Sequence, residues 1–572
     1  MSEGEKNLGK KISRRQAIGT VGKIAASAVI AGVAAGIGGY LVGSSVAPVR
    51  TVEKTVTRTK EVQTATTTLT TTLPASTVTR FVTKTTTVGA VMPARYGGVI
   101  KVCQEGEPTM LDPHKSTFFV DWWVENHIYE GLLRLSPYLE IEPALAWYWE
   151  QPDPTTIIFY LRKNVKFHNG KPMTSADVKY SFERVMDPAT GSPTKAYLDV
   201  ISSIETPDDY TVKLILSEPS APLLFKIAEC NGLRVAIIPE GAGDELATKP
   251  VGTGPFKLKE WAKGDHITLE RFNEYWDVGF PYADELTFYF QSDPEAMLTM
   301  LRTGTVDFAE PIYYKYAKEV TSKDLYSVVN RITGFHFLLL NTKADSPFKD
   351  KRVRQAVAHA IKREEIIKLA FFGYATPIDH PLLPGTPWYV SVPSLSYDLD
   401  RARELLAEAG YPDGFEDEIV AAPTPEERKI AEVVASQLLK IGIKLNVKTP
   451  EIGAYLDEVV KKRTYHIADC GWTPPTEPDI ILSSFFHSKG WINWTGYSDP
   501  EVDSLLEEGR KELDPVKRKV IYAEVLKKAL PEASVIFIEQ CTRIQAWWRH
   551  LRGYIPRPDL TKLFHNVWKE KR

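Results

Sequence analysis

Between Thr51 and Val88 nearly every second residue is threonine, and that tract limits where this chain can fold. It has too little apolar surface to offset the entropy of ordering a backbone. A globular body is therefore expected to begin only near Tyr96. Thr-rich segments of this kind act as extended stalks, often O-glycosylated. At about 3.3 Å per residue this one reaches on the order of 120 Å. The Thr/Val alternation also allows an oligomeric β-structure.

What precedes the tract reads as an export and anchoring element. Lys6, Lys10, Lys11, Arg14 and Arg15 lead into Ile24–Val42, an unbroken uncharged run rich in Ala, Gly, Val and Ile. Ser13-Arg14-Arg15 resembles a twin-arginine signal, with Ala17 and Ile18 where Phe-Leu is usual. The run is close to the roughly 20 residues that span a bilayer as a helix. Pro48 directly after Ser45-Val46-Ala47 disfavours cleavage there, and no cysteine near the run offers a lipid anchor. The charge asymmetry puts the N-terminus in the cytoplasm. The expected division is 1–23 a basic cytoplasmic segment, 24–42 a signal/anchor helix, 43–96 a Thr-rich linker, and everything beyond on the cell surface.

The rest has the composition of a globular protein, 43% hydrophobic and 25% charged, in a chain of 572 residues that is too long for one ordinary domain. A net charge of −3 without a Lys/Arg-rich block in the body argues against nucleic acid as a partner. The 13 Trp suggest that some rings line a pocket. Cys103, Cys230, Cys470 and Cys541 are far apart, which excludes a zinc site of the usual spacing and leaves open whether they pair or stay free thiols.

Helix-period and strand-period segments alternate from Gly98 onward. Thr174-Ser-Ala-Asp177 is a capping box for a helix burying Val178, Phe182 and Val185 and stopped by Pro188. Thr424-Pro-Glu-Glu427 opens another, which buries Ile430, Val433, Val434 and Leu438 and ends at Gly442. Ile443, Leu445 and Val447 then alternate as a strand, a shorter helix runs from Asp400 to Ala409, and Asp499-Pro500 starts one more. Such alternation implies α/β layers. Pro250–Pro255 and Pro377–Pro387 read as crossings between lobes.

No catalytic signature stands up. GxSxG, HExxH and Walker A patterns are missing. Ser192-Pro-Thr-Lys195 has SxxK spacing without its partner motifs, and Gly252-Thr-Gly-Pro-Phe256 lacks the third glycine of a dinucleotide loop. The eleven His form no i, i+4 pair, so neither a metal nor a cofactor is implied.

Several ordered blocks are specific. They are Asn126-His-Ile-Tyr-Glu-Gly-Leu-Leu133, Ile141-Glu-Pro-Ala-Leu-Ala146, the stretch Phe159 to Val178 around Phe167-His-Asn-Gly-Lys-Pro-Met173, Gly252-Thr-Gly-Pro-Phe256, Asn273-Glu-Tyr-Trp276, Arg352-Val-Arg-Gln-Ala-Val357 and Gly496-Tyr-Ser-Asp-Pro-Glu-Val-Asp503. Together they resemble the family 5 extracellular solute-binding proteins, the dipeptide and oligopeptide receptors of ABC importers, over roughly residues 97–560. The resemblance implies a two-lobed periplasmic-binding-protein-like α/β fold with an extra domain in the first lobe. Carried onto this chain, lobe I takes 97–130, 250–333 and 539–572, its extra domain takes 131–249, and lobe II takes 334–538. It implies a monomer that captures a small solute in an interlobe cleft and hands it to ABC permease subunits, with no chemistry of its own. The competing reading is a membrane-anchored extracellular hydrolase whose site assembles only in space.

Two segments match the family's cleft. Thr117, Phe118 and Phe119 correspond to a strand of backbone passing the ligand. The second, Gly471-Trp-Thr-Pro-Pro-Thr-Glu-Pro-Asp479, contributes Trp472, Thr473, Pro475 and Glu477. Peptide receptors carry an aspartate three residues after this tryptophan to hold the ligand's ammonium, and here that position is Pro475. Asp469, Glu477 or Asp479 would have to replace it, since a buried ammonium needs a paired carboxylate. With Asn493 and Trp494 also expected at the site, and Trp491 close by, oligosaccharide ranks slightly ahead of oligopeptide. Asn493-Trp-Thr495 is also a glycosylation sequon.

Overall fold

The computed structural model describes residues 96–229, 235–321, 324–473 and 477–570, so the expected anchor helix, the Thr-rich linker, Cys230 and Pro475 lie outside the described residues. Within the unit Pro93–Arg572, one 11-stranded sheet forms the backbone of the fold. Across it run Ile443–Lys448, Phe415–Ala421, Ile467–Trp472, Leu325–Leu340, Val535–Trp548, Phe308–Ile312, Val99–Gln104, Glu285–Phe290, His266–Arg271 and Phe256–Ala262, with Thr376–Pro377 added against Val535–Trp548. Among the described residues no helix is long and apolar enough to cross a membrane.

The two central strands are unusually long, 16 and 14 residues, and pair antiparallel from Leu325↔Trp548 to Leu339↔Val535. Their register shifts between Arg331 and Phe335 and again between His336 and Phe337. Bulges of this sort add local twist. On one side of them Val535–Trp548 continues into Phe308–Ile312, and on the other Leu325–Leu340 continues into Ile467–Trp472. Each half of the sheet has its own cores. Ile100, Phe256, Phe288 and Phe564 are buried in one half. Leu338, Val357, Val434 and Ile443 pack on one face of the other half, with Phe337, Phe485 and Tyr522 on its opposite face.

A separate four-stranded antiparallel sheet is built from Ala146–Asp153, Thr156–Leu161, Thr211–Leu216 and Ile201–Asp208. Its hairpins are turned by aspartates whose side chains accept a backbone N–H two residues on, Asp153 from Thr155 at 2.9 Å and Asp208 from Tyr210 at 2.8 Å. Helix Ser175–Met186 packs on it through Val178, Phe182 and Val185, as the capping box predicts, and the Thr174 N–H donates to Asp177 Oδ2 at 2.8 Å. Arg184 on that helix forks onto Asp112, at 3.0 and 2.6 Å, and ties this sheet to the Asp112 loop.

Gly252 and Gly254 are explained by close approach of backbones. A Cβ on Gly252 would collide with the Ile128 carbonyl and come within 2.7 Å of Tyr129 Cδ1. The Gly254 N–H donates to that same carbonyl at 2.9 Å. The helices expected after Thr424 and Asp499 form as Pro425–Leu438 and Pro500–Lys511, each opened by its predicted cap. Cys103, Cys470 and Cys541 are free thiols.

Candidate functional site

A cavity of about 1040 Å³ opens between the large sheet and the four-stranded domain. Its floor on one side is the end of strand Ile467–Trp472 and the first turns of helix Pro478–Phe486. Thr117, Trp122 and the segments around Tyr197, Ser217–Ser220 and Lys226 close the other side. The two sides touch at the rim, where the Ala221 N–H donates to the Arg510 carbonyl at 2.9 Å and Lys511 pairs with Glu218 at 2.8 Å.

Charges in the cavity are mostly committed. Asp479, buried, accepts from Arg510 Nε at 3.0 Å and from the Ser483 hydroxyl at 2.9 Å, while Arg510 Nη2 donates to that hydroxyl at 3.1 Å. Lys226 differs. It projects from the short helix Leu223–Ala228 over the Tyr197 ring, 4.9 Å from the centroid, and among the described residues no carboxylate lies within ion-pair distance of it. Burial pushes its pKa below the ordinary lysine value, although Asp479 and Glu477 pull the other way. Among the described residues the buried indole N–H of Trp122 has no hydrogen-bond partner either.

Of the residues singled out from sequence, Thr117, Trp472 and Thr473 line the cavity. Trp472 packs edge-on against Phe335 and Phe485 and stands perpendicular to Trp491, at 88° and 5.3 Å, whose exposed ring also lines it. Phe118 is exposed in extended backbone just before helix Phe119–Glu125, and Phe119 packs on Trp123. Neither lines the cavity.

Glu477 and Asn493 serve the fold. Glu477, buried, caps helix Pro478–Phe486 by accepting from the Ile480 N–H at 3.1 Å and pairs with buried Arg518 at 2.6 Å. Asn493 donates to the His487 and Tyr497 carbonyls at 3.0 and 2.7 Å, so the sequon offers no free amide in the folded chain. Trp494 packs into the core behind the loop. Sequence reading did not find Lys226, Tyr197 or Ser217–Ser220. They come from the four-stranded domain, and only the closed fold sets that domain against Trp472. The one local signal was a lysine set in the apolar run Leu223-Leu-Phe-Lys-Ile-Ala228.

Residues 140–493 match the family model of bacterial extracellular solute-binding proteins, family 5 Middle. The chain belongs to that family. This family 5 protein is 30% identical over 473 residues, 80% of its own length and 92% of the relative's, to the glutathione-binding protein GsiB of Pectobacterium atrosepticum. Among solved structures it is similar to the PBP AgaA from A. tumefacien R10 in complex with agropinic acid, with 30% identity, TM-score 0.70, and 83% and 99% of the two chains covered. It is also similar to the ABC transporter-associated periplasmic binding protein DppA from Helicobacter pylori in complex with peptide STSA, with 27% identity, TM-score 0.72, and 84% and 99% covered. The α/β two-lobed fold expected from sequence is the fold of these proteins. The family 5 protein is accordingly an extracytoplasmic solute-binding component of an ABC transporter and not an enzyme, and nothing in these likenesses supports the hydrolase reading.

Proposed function

We propose that the cavity captures a short peptide with a free carboxylate for delivery to ABC permease subunits. Lys226 is the observation that carries this reading: a desolvated ammonium without a carboxylate partner gains most from an anionic ligand group. Trp122 adds an unused N–H donor for a ligand carbonyl. Asp479, beside Arg510, supplies a carboxylate in the cavity wall. The relatives named above for glutathione and for the peptide STSA point the same way. Two indoles at 88° form a corner suited to one side chain, whereas stacking on a pyranose ring uses a flat face. That moves oligosaccharide behind peptide.

Calorimetric titration with glutathione, Ser-Thr-Ser-Ala and its C-terminal amide, and a maltooligosaccharide tests the proposal. Peptide acids bind, the amide binds at least tenfold more weakly, and Lys226→Met removes that difference. Binding of the oligosaccharide alone, or no acid/amide difference, overturns it.

The lobe limits 97–130, 250–333 and 539–572 for lobe I, 131–249 for its extra domain and 334–538 for lobe II remain part of this reading. Two cores lying wholly within 334–538 support the limits of lobe II, whereas the core of 131–249 also takes in Phe272, Tyr275 and Trp276, and Ala236, Ile238 and Leu246 pack with lobe I. So does a monomer tethered by residues 24–42, and mass measurement of the membrane-extracted chain with its N-terminus intact is the expected result.

A further inference from the structure

Where the two long strands shift register, His336, Glu539 and Cys541 bring one nitrogen, one oxygen and one sulfur donor within 4.8 Å of one another. We propose that these three side chains form a binding site for a divalent transition ion of zinc type, on the two central strands of the large sheet and apart from the solute cavity. A nitrogen, a carboxylate oxygen and a thiolate are the donor set that borderline-soft Zn²⁺ favours.

The spacing already fits in part. With bonds of about 2.0–2.3 Å at tetrahedral angles, donor atoms sit about 3.3–3.6 Å apart. Cys541 Sγ lies 3.4 Å from His336 Nδ1 and 3.5 Å from Glu539 Oε1. Only the His336 Nδ1–Glu539 Oε1 edge, at 2.5 Å, is too short, and a metal between the two would have to replace that hydrogen bond and part the two atoms. On the far side of the ring, His336 Nε2 faces Glu427 Oε1 at 3.3 Å. A carboxylate on the second nitrogen is what orients a metal-bound imidazole and fixes its tautomer. Space for the ring comes from Gly471, directly opposite His336, where a Cβ would stand 2.8 Å from the ring Nε2.

A second observation is independent of the donor geometry. Asp469 is fully buried, and among the described residues neither of its carboxylate oxygens has a hydrogen-bond partner, nor has Glu539 Oε2. Asp469 faces Leu338, two pairs along from His336 and Gly471, so alternation puts it on the same side of the sheet. Three carboxylates, Glu427, Glu539 and Asp469, thus surround one imidazole, and among the described residues no Lys or Arg pairs with any of them. A divalent cation placed among them would favour their ionised forms. Trp472 pairs with Phe335 and faces the solute cavity from the opposite side of the sheet, so the two sites do not share a wall.

Binding is an exchange without redox change: M²⁺ enters, and the Cys541 thiol proton and the His336 Nδ1 proton leave to solvent. The three donors leave one tetrahedral position for water. No spacing rule could have found the site, because His336 and Cys541 are brought together only by strand pairing.

Untagged full chain, stripped with chelator, is titrated with Zn²⁺ and separately with Co²⁺. One Zn²⁺ per chain is expected, with a thiolate-to-cobalt charge-transfer band in the Co²⁺ form and a higher melting temperature in the Zn²⁺ form. Cys541→Ser abolishes the band and weakens Zn²⁺ at least 100-fold, while Cys103→Ser and Cys470→Ser change neither. An unchanged circular dichroism spectrum and a single cooperative melt show that each variant is folded. If a variant fails to fold, the Co²⁺ band of the unaltered chain decides. Absence of that band, substoichiometric Zn²⁺, or equal Zn²⁺ affinity in Cys541→Ser overturns the proposal.

Discussion

Glu477 is the sharpest place to separate a binding role from a structural one. It caps helix Pro478–Phe486 and pairs with Arg518, which also donates from Nε to the Gly509 carbonyl at 2.9 Å and from Nη2 to the Tyr522 hydroxyl at 2.9 Å. Burial opposes the Arg518 charge, but Glu477 and Tyr522 outweigh it and hold that guanidinium above its ordinary pKa. Glu477→Ser keeps a good helix cap and removes only the counter-charge. Breaking a buried pair from one side costs about 3–5 kcal/mol, because the remaining ion is left uncompensated. At about 2–4 °C per kcal/mol for a unit of 150–250 residues, the melting temperature falls by roughly 10 °C. Adding Arg518→Met removes the stranded cation and recovers most of the loss. Urea denaturation of the two single variants and the double variant measures the cycle, and peptide affinity of folded Glu477→Ser stays within twofold. A stable Glu477→Ser that has lost its peptide would refute the reasoning and return Glu477 to the site.

Trp472→Ala removes a wall of the cavity and weakens peptide binding at least tenfold by calorimetry, about 1.4 kcal/mol; unchanged affinity would take Trp472 out of the site. His168 donates from Nε2 to the Gly254 carbonyl at 2.9 Å while its Nδ1 faces the Gly252 N–H at 3.4 Å, so a second proton has no place, and burial pushes its pKa down to about 4. The unfolded chain therefore binds the extra proton first, and up to about 3 kcal/mol is lost as pH falls from about 6.5 towards 4. The urea midpoint of His168→Gln should fall less steeply over that range. Gly252→Ala forces a methyl into the Ile128 carbonyl and should cost about 3 kcal/mol in chemical denaturation.

Local structure was legible where one side chain decides it. Thr174, Thr424 and Asp499 announce helix starts because an N-cap acts within four residues. The strand through Ile443, Leu445 and Val447 shows in its alternation. The cleft was half legible. Thr117, Trp472 and Thr473 sit in blocks that carry the family likeness, whereas Lys226 and Tyr197 reach the cavity by domain packing, which leaves no periodic trace. Glu477 and Asn493 look like ligand groups in sequence, since a buried cap and a solute contact use the same polar residue types.

The pairing of Leu325–Leu340 with Val535–Trp548 has a consequence for biogenesis. The later strand lies in the middle of the large sheet, between partners made about two hundred residues earlier. Domains usually fold in order as they are synthesised. Here neither half of the sheet can be completed until nearly the whole chain is available, so the nascent protein must keep Phe308–Ile312 and Leu325–Leu340 unpaired with it meanwhile. A chain cut before Val535 would lose both lobes together.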